Sequence, residues 1–226
     1  MERDRKNFLS LLDNEKVSIF CAYDQDYGVF RANSFKKNLF SHLGFEGISE
    51  CVFMDQIHSS FVQIYDTNLK DLTCDGLITK KKNVALCVLS ADCLPLLLYH
   101  EDGIVAALHS GRKGSFKNIL KECIEKISLE SPNLDGSKFH LFIMPSICWK
   151  NYEISGEVLD FAKENFKDFL LGNQLDLKSL VKFQAKNLNI NNILDSEICS
   201  FENKDFFSYR RDKTQKRFVS VIYLKG

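Results

Sequence analysis

The chain has no surplus of charge. Its 226 residues carry 30 Lys and Arg against 30 Asp and Glu, with no long block of either sign. That balance lacks the basic footprint of a nucleic-acid-binding domain, so no nucleic-acid partner is expected. An apolar run fit for a bilayer is missing too. The longest, Val84 to Tyr99, is broken by Asp92 and Pro95 and falls short of the roughly 20 residues a spanning helix needs. No membrane partner is expected. The charged start, Met1-Glu2-Arg3-Asp4-Arg5-Lys6, leads into no apolar stretch and argues against a signal peptide. No Asn-X-Ser/Thr sequon occurs. The eight cysteines form no Cys-X-X-Cys pair, which excludes a zinc ribbon or a thioredoxin-like motif. They are too thinly scattered for a secreted disulfide scaffold, and several sit in strand-like runs as small core residues. A reducing cytoplasm is the expected compartment.

What is present suits one globular unit. An apolar fraction of 45% supports a core, and 27% charged residues keep the surface wet. Short apolar runs at Val17–Cys21, Glu50–Met54, Phe61–Tyr65, Gly76–Thr79, Val84–Leu89, Leu94–Tyr99, Ile104–Leu108, Lys138–Ile143 and Phe218–Leu224 read as strands. Lys80-Lys81-Lys82-Asn83 and His100-Glu101-Asp102-Gly103 read as hairpin turns. Asn33–Leu43 reads as a polar helix. Ser115–Glu130 is the clearest helix. Phe116, Ile119, Leu120, Cys123, Ile124 and Ile127 make one apolar stripe, with Ser115 as N-cap and Pro132 past the end. Ser155–Leu170 and Leu175–Leu188 read as two more amphipathic helices, and the Asn-rich 187–192 as a loop. No repeat and no long linker divides the chain. The expected fold is a single α+β domain over residues 1–226, with a mixed sheet and flanking helices.

Three segments set a soft, metal-capable side chain beside small or polar residues: Gln56-Ile57-His58-Ser59, Ala91-Asp92-Cys93-Leu94-Pro95 and Leu108-His109-Ser110-Gly111. Two His and one Cys can hold a zinc ion by three bonds and leave the fourth position open, which is the catalytic rather than the structural arrangement. Asp92 is costly inside an apolar run unless paired. Pro95 cannot donate in a ladder, so this segment is expected to end a strand or form an edge. The 16 residues from Cys93 to His109 fit an out-and-back hairpin that brings the two together. Ser110-Gly111-Arg112-Lys113-Gly114-Ser115 is strand, turn and helix entry, a form suited to an anion.

These motifs and four others resemble, in order, those of the YfiH family. That family is also called the laccase-domain or multicopper polyphenol oxidase family and peptidoglycan editing factor, and its members include purine nucleoside phosphorylases. The further motifs are Asp75-Gly76-Leu77-Ile78-Thr79, Met144-Pro145-Ser146-Ile147 with Tyr152-Glu153-Ile154, Cys199-Ser200 and Ser208-Tyr209-Arg210-Arg211. The pattern thins in places. The early Gly-rich stretch shrinks to Asp26-Tyr27-Gly28-Val29, a Trp-Arg pair is Arg112-Lys113, and a late Thr-Gly-Arg is Thr214-Gln215-Lys216-Arg217.

The resemblance implies an α+β fold akin to the catalytic domain of the cytotoxic necrotizing factor toxins. It also implies zinc on His58, Cys93 and His109, with copper the less favoured metal. The implied substrates are a purine nucleoside (adenosine, inosine or methylthioadenosine) and phosphate. Gln56, Lys113, Arg210 and Arg211 are the expected substrate and phosphate contacts, with Arg112 as a weaker candidate. Asp92, Asp75 and Lys113 are the expected catalytic groups. Either aspartate can serve a second activity, adenosine deamination by a zinc-bound water. The plainer reading has Asp75-Gly76 as a turn and Asp92 as the group that orients a ligand His. Two alternatives stand beside this one. In the first, Cys93 is a nucleophile with His109 as its base, in a hydrolase or amidase acting on a cell-wall precursor. In the second, the chain is a binding domain that has kept the metal without turnover. Copper oxidation of phenols needs many His ligands. Five His in all, with His42, His100 and His140 outside any such motif, are too few.

Overall fold

The apolar residues between Val84 and Leu108 form three consecutive strands, and each is buried on both faces, which explains why they read as nearly unbroken hydrophobic runs. The computed structural model describes residues 8–23, 47–66 and 69–226. In chain order the strands are β1 Phe8–Asp13, β2 Val17–Ala22, β3 Glu50–Phe53, β4 Val62–Ile64, β5 Gly76–Thr79, β6 Val84–Ser90, β7 Leu94–His100, β8 Ile104–Ser110, β9 Phe139–Ile143, β10 Leu170–Leu171, β11 Gln174–Leu175, β12 Asn192–Asp195 and β13 Phe218–Leu224. The helices are α1 Arg112–Phe116, α2 Ile119–Glu130, α3 Glu157–Asn165, α4 Leu177–Asn187 and α5 Tyr209–Asp212.

Two mixed sheets carry the fold. One has five strands in the order β1-β2-β13-β6-β3, the other six in the order β12-β9-β7-β8-β5-β4. Side chains alternate along the shared strands as the pleat requires. In β7, Leu97 and Tyr99 face the five-stranded sheet, while Leu94, Leu96 and Leu98 join the helix side. On that side Ile119, Leu120, Cys123 and Ile127 of α2 pack with Leu180, Val181 and Ala185 of α4. The architecture is therefore helices on one sheet and that sheet on another, which is the expected α+β class.

Several local expectations change. The segment 115–130 is two helices, because Asn118 takes the left-handed conformation (φ 55°) between them and caps α2 by accepting from the Lys121 N–H. Ser115 lies inside α1, where Gly111 is the N-cap. Lys80–Asn83 does not turn a hairpin. It carries the chain from β5 in one sheet to β6 in the other, with Asn83 left-handed (φ 61°). Pro95 is not on an edge, since β7 is an interior strand. The proline falls just ahead of the first β7–β9 pair, Leu96↔Ile143, and its carbonyl accepts from the Met144 N–H at 3.0 Å. The end of the Asn-rich stretch starts β12, which pairs in parallel with β9. The His100–Gly103 turn forms as expected, with Gly103 at φ 80°. The expected helix Asn33–Leu43 and the Asp26–Val29 echo lie outside the described residues.

Two connections beyond Lys80–Asn83 matter for the site. The chain passes from the five-stranded to the six-stranded sheet between β3 and β4, and again between β6 and β7. His58 lies on the first passage and Cys93 on the second, and β8 ends beside them.

Candidate active site

His109 sits opposite Pro95 in the β7–β8 ladder, so the hairpin brings it to the level of Cys93. His58 comes from the β3–β4 passage. Its backbone is left-handed (φ 59°), a conformation that costs a non-glycine residue about 1–3 kcal/mol unless the surroundings enforce it. The ligand atoms of His58, Cys93 and His109 all lie within 4.8 Å of one another, and the two imidazole rings meet edge-on at 4.8 Å. His58 is exposed, Cys93 half-buried and His109 buried, so the cluster opens on one side.

Asp75 holds this arrangement. It is fully buried at the start of β5 and accepts hydrogen bonds from the N–H groups of Ile57, His58 and Ser59, from Ser59 Oγ and from His109 Nδ1 at 2.8 Å. Burial alone would raise its pKa. The bonds from His109 and Ser59 outweigh it and bring the carboxyl down to about 2. Since Asp75 stays ionised, the shared proton sits on His109 Nδ1, which leaves Nε2 to face Cys93. Burial also raises the Cys93 thiol. The His109 charge, with hydrogen bonds from His109 and His58, reverses this and brings it to about 6. His109 moves the other way: burial lowers it, but Cys93 and Asp75 raise it to about 9. Cys93 and His109 thus each favour the charged form of the other.

Gly111 is required by space. Its φ of −73° suits any residue, but a Cβ there would lie 3.0 Å from Cys93 Sγ and 3.5 Å from His58 Cδ2. Gly114 is confined in the same way by the Ser59 carbonyl, at 3.0 Å. The set of one thiolate and two imidazoles, with a carboxylate orienting one ring, fits a borderline-soft divalent ion such as zinc.

A second aspartate organises the opposite side. Asp92, left-handed at φ 98°, accepts from Ser200 Oγ at 2.8 Å and from the Arg210 N–H at 2.6 Å. It orients the Ser200 and Arg210 loops rather than a ligand histidine. Arg210 lies over the Tyr152 ring at 5.2 Å and donates to the Glu153 carbonyl. Burial raises the Tyr152 phenol and the charge on Cys93 adds to this, while Arg112 and Arg210 oppose it. Cys93, Tyr152, Arg112 and Arg210 are thus electrostatic neighbours.

The other expected residues fall elsewhere. Gln56 is tied to the Leu89 backbone by paired amide bonds of 2.9 Å. Arg211 is spent on Asp212 and on the carbonyls of Ser200, Phe201 and Phe206. Lys113 is exposed on α1. Arg112, its chain neighbour, acts on the Tyr152 phenol. Sequence alone does not single out Tyr152 and Ser59, although both stand inside the motifs quoted above. His100 and His140 hold Asp135 and Glu101, well separated along the fold from the cluster.

Residues 30–225 match the family described as multi-copper polyphenol oxidoreductase laccase. The chain belongs to this family. Among similar proteins is one from Campylobacter jejuni named purine nucleoside phosphorylase Cj1217c. It is 70% identical over 225 residues, which cover 100% of both chains. Solved structures of the same fold include Neisseria meningitidis protein NMB0706, with TM-score 0.80 and 22% identity over 98% of this chain and 100% of that one. The Bacillus licheniformis hypothetical protein YfiH has TM-score 0.79 and 21% identity over 96% and 99%. The resemblance to the YfiH family is borne out.

Proposed function

We propose that the chain is a zinc-dependent purine nucleoside phosphorylase. The observation that carries this reading is the His58–Cys93–His109 cluster together with Arg210 stacked on Tyr152, a phenol that also feels the charges of Cys93 and Arg112. The full-length likeness to a protein named for this activity supports it. In phosphorolysis a phosphate oxygen bonds to the ribose anomeric carbon as the bond from that carbon to the purine nitrogen breaks. The base leaves with the bonding pair and takes up a proton, and ribose 1-phosphate remains.

Arg112 and Arg210 hold the anion against its own repulsion, and Arg210 is fixed at its backbone by Asp92 and at its guanidinium by the Glu153 carbonyl. Developing positive charge on the ribose, as in glycoside cleavage, is stabilised by that phosphate. Ile57, 54% exposed beside His58, offers apolar surface for the base. A bound zinc, held by His58, Cys93 and His109, would supply Lewis-acid polarisation at the leaving base. Adenosine deamination needs a carboxylate free to shuttle a proton. Asp75 and Asp92 are both committed to fixed donors, which favours phosphorolysis as the main activity.

One observation favours a second reading. Cys93, His109 and Asp75 line up as nucleophile, base and orienting carboxylate, the arrangement of a cysteine hydrolase. A thiolate bonded to a metal is blunted, so the two readings differ in what they predict.

Chromatography of adenosine incubated with zinc-loaded protein tests both. Adenine and ribose 1-phosphate formed only with phosphate is the expected result. Inosine formed without phosphate, or no turnover, overturns it. Rapid alkylation of Cys93 by iodoacetamide in zinc-loaded protein would move the assignment to the hydrolase.

A further inference from the structure

A second cluster of soft donors lies outside the site just described. Cys148 and Cys199 come from segments joined by the Ser146↔Cys199 bridge, and Glu202 follows one turn later. Their ligand atoms lie within 4.8 Å of one another, as close a grouping as His58, Cys93 and His109. The Cys148 N–H already points at Cys199 Sγ at 3.2 Å. The side-chain nitrogen of Asn151 lies 3.2 Å from Cys148 Sγ, 3.8 Å from Cys199 Sγ and 2.8 Å from Glu202 Oε1, and the Cys148 thiol itself donates to Glu202 Oε1 at 3.5 Å. Two sulfurs and a carboxylate oxygen therefore surround one NH2 group. Cys199 is buried, Cys148 half-buried and Glu202 exposed, so the cluster is closed at the back and open to solvent at the front. No step of the proposed reaction uses it.

We propose that Cys148, Cys199 and Glu202 form a second site for a soft divalent cation of the zinc and cadmium class. Both thiols give up their protons to solvent as the ion binds, and the carboxylate supplies the third bond. Turning the Asn151 amide over would present its oxygen as a fourth donor, since its nitrogen and oxygen fill nearly the same volume. Two thiolates and one carboxylate suit zinc and its heavier congener, whereas magnesium and calcium prefer all-oxygen sites.

The site is structural in character and braces the arginine side of the active site. Ile147, beside Cys148, donates its N–H to the Asp92 carbonyl at 3.0 Å. Ser200, beside Cys199, donates its hydroxyl to the Asp92 carboxylate. A cation joining residues 148 and 199 thus clamps the two segments that grip Asp92, and through Asp92 the Arg210 backbone.

Cadmium titration of the reduced full-length chain tests this, with native mass spectrometry for stoichiometry and the thiolate-to-cadmium charge-transfer absorption for ligand identity. The intact chain is expected to take two ions. The Cys93→Ser chain is expected to keep one, with the absorption of two thiolates. The Cys148→Ser chain is expected to keep one, with the absorption of a single thiolate. Glu202→Gln alters an exposed side chain only, and is expected to weaken the second ion by about tenfold or more while leaving the first unchanged. The proposal is overturned if Cys93→Ser takes up no ion, or if the Cys93→Ser, Cys148→Ser double variant still takes up one. It also fails if the untreated chain holds a Cys148–Cys199 disulfide, two mass units lighter, and refuses cadmium after reduction.

Discussion

The two sides of the active site are each built on a buried aspartate, and the two aspartates work differently. Asp75 collects donors from a single passage of chain and one histidine ring. Its acceptor capacity goes to the backbone of Ile57, His58 and Ser59, the Ser59 hydroxyl and the His109 ring. Asp92 reaches across the sequence to Ser200 and Arg210, 108 and 118 residues away, and sets the position of a cation. The histidine side is thus anchored locally, and the arginine side is anchored by long-range closure of the fold. The C-terminal loops must be in place before Arg210 can act, while the histidine side needs only the sheets.

The sharpest way to break the comparison is to remove a ligand. Cys93→Ala is expected to strip the metal and reduce phosphorolysis to background, checked by elemental analysis beside turnover. Asp75→Asn should come next. It leaves the His109 ring without its orienting charge, and metal affinity should fall about 10–100-fold in a chelator competition. Loss of a buried charge with this many donors should also cost about 3–5 kcal/mol in urea unfolding.

The arginine side should respond in another currency. Arg210→Ala is expected to raise KM for phosphate about tenfold or more with metal content unchanged, a loss of roughly 1.4 kcal/mol in anion binding. Arg211→Ala, its chain neighbour, should instead lower stability by about 1–3 kcal/mol, because it leaves the Ser200, Phe201 and Phe206 carbonyls without their donor. A KM effect at position 211 equal to that at 210 would dissolve the distinction.

The smallest effect belongs to a third, half-buried carboxylate, away from the site. Asp195 at the end of β12 is held by Lys178 at 2.8 Å and Lys182 at 2.9 Å. Burial pushes its pKa up, but the two lysines more than offset this and leave it below the ordinary 3.8. Folding therefore favours the ionised form. That contribution is present above pH 3.8 and is lost as the pH falls through the lowered folded value. Unfolding midpoints between pH 5 and pH 3 should fall more steeply for the wild-type chain than for Asp195→Asn.

Local pattern carried part of this site and no more. Cys93 and His109 could be paired from sequence because a hairpin with an evident turn separates them, and the β7–β8 register places them as that spacing requires. His58 could be placed only by analogy, since its passage between sheets has no periodicity to read. The Lys80–Asn83 turn misled for a related reason. A polar break between two apolar runs looks the same whether the strands pair or part into different sheets. Arg210 and Arg211 could not be told apart, because successive residues on one short helical turn point about 100° away from each other and nothing local says which faces in. The sequence around Asp92 suggests a catalytic carboxylate or support for a histidine. Its true partners lie more than a hundred residues further on, beyond any spacing rule.

The left-handed backbone at His58 also sets a trade-off for the evolution of this chain. The residue is exposed, so its side chain contributes little packing, and its conformation is one that glycine adopts freely. His58→Gly would relax the backbone and leave the core untouched. The fold would gain thermal stability from the same substitution that removes His58 from its cluster with Cys93 and His109. Stability alone would therefore favour glycine over histidine at this position.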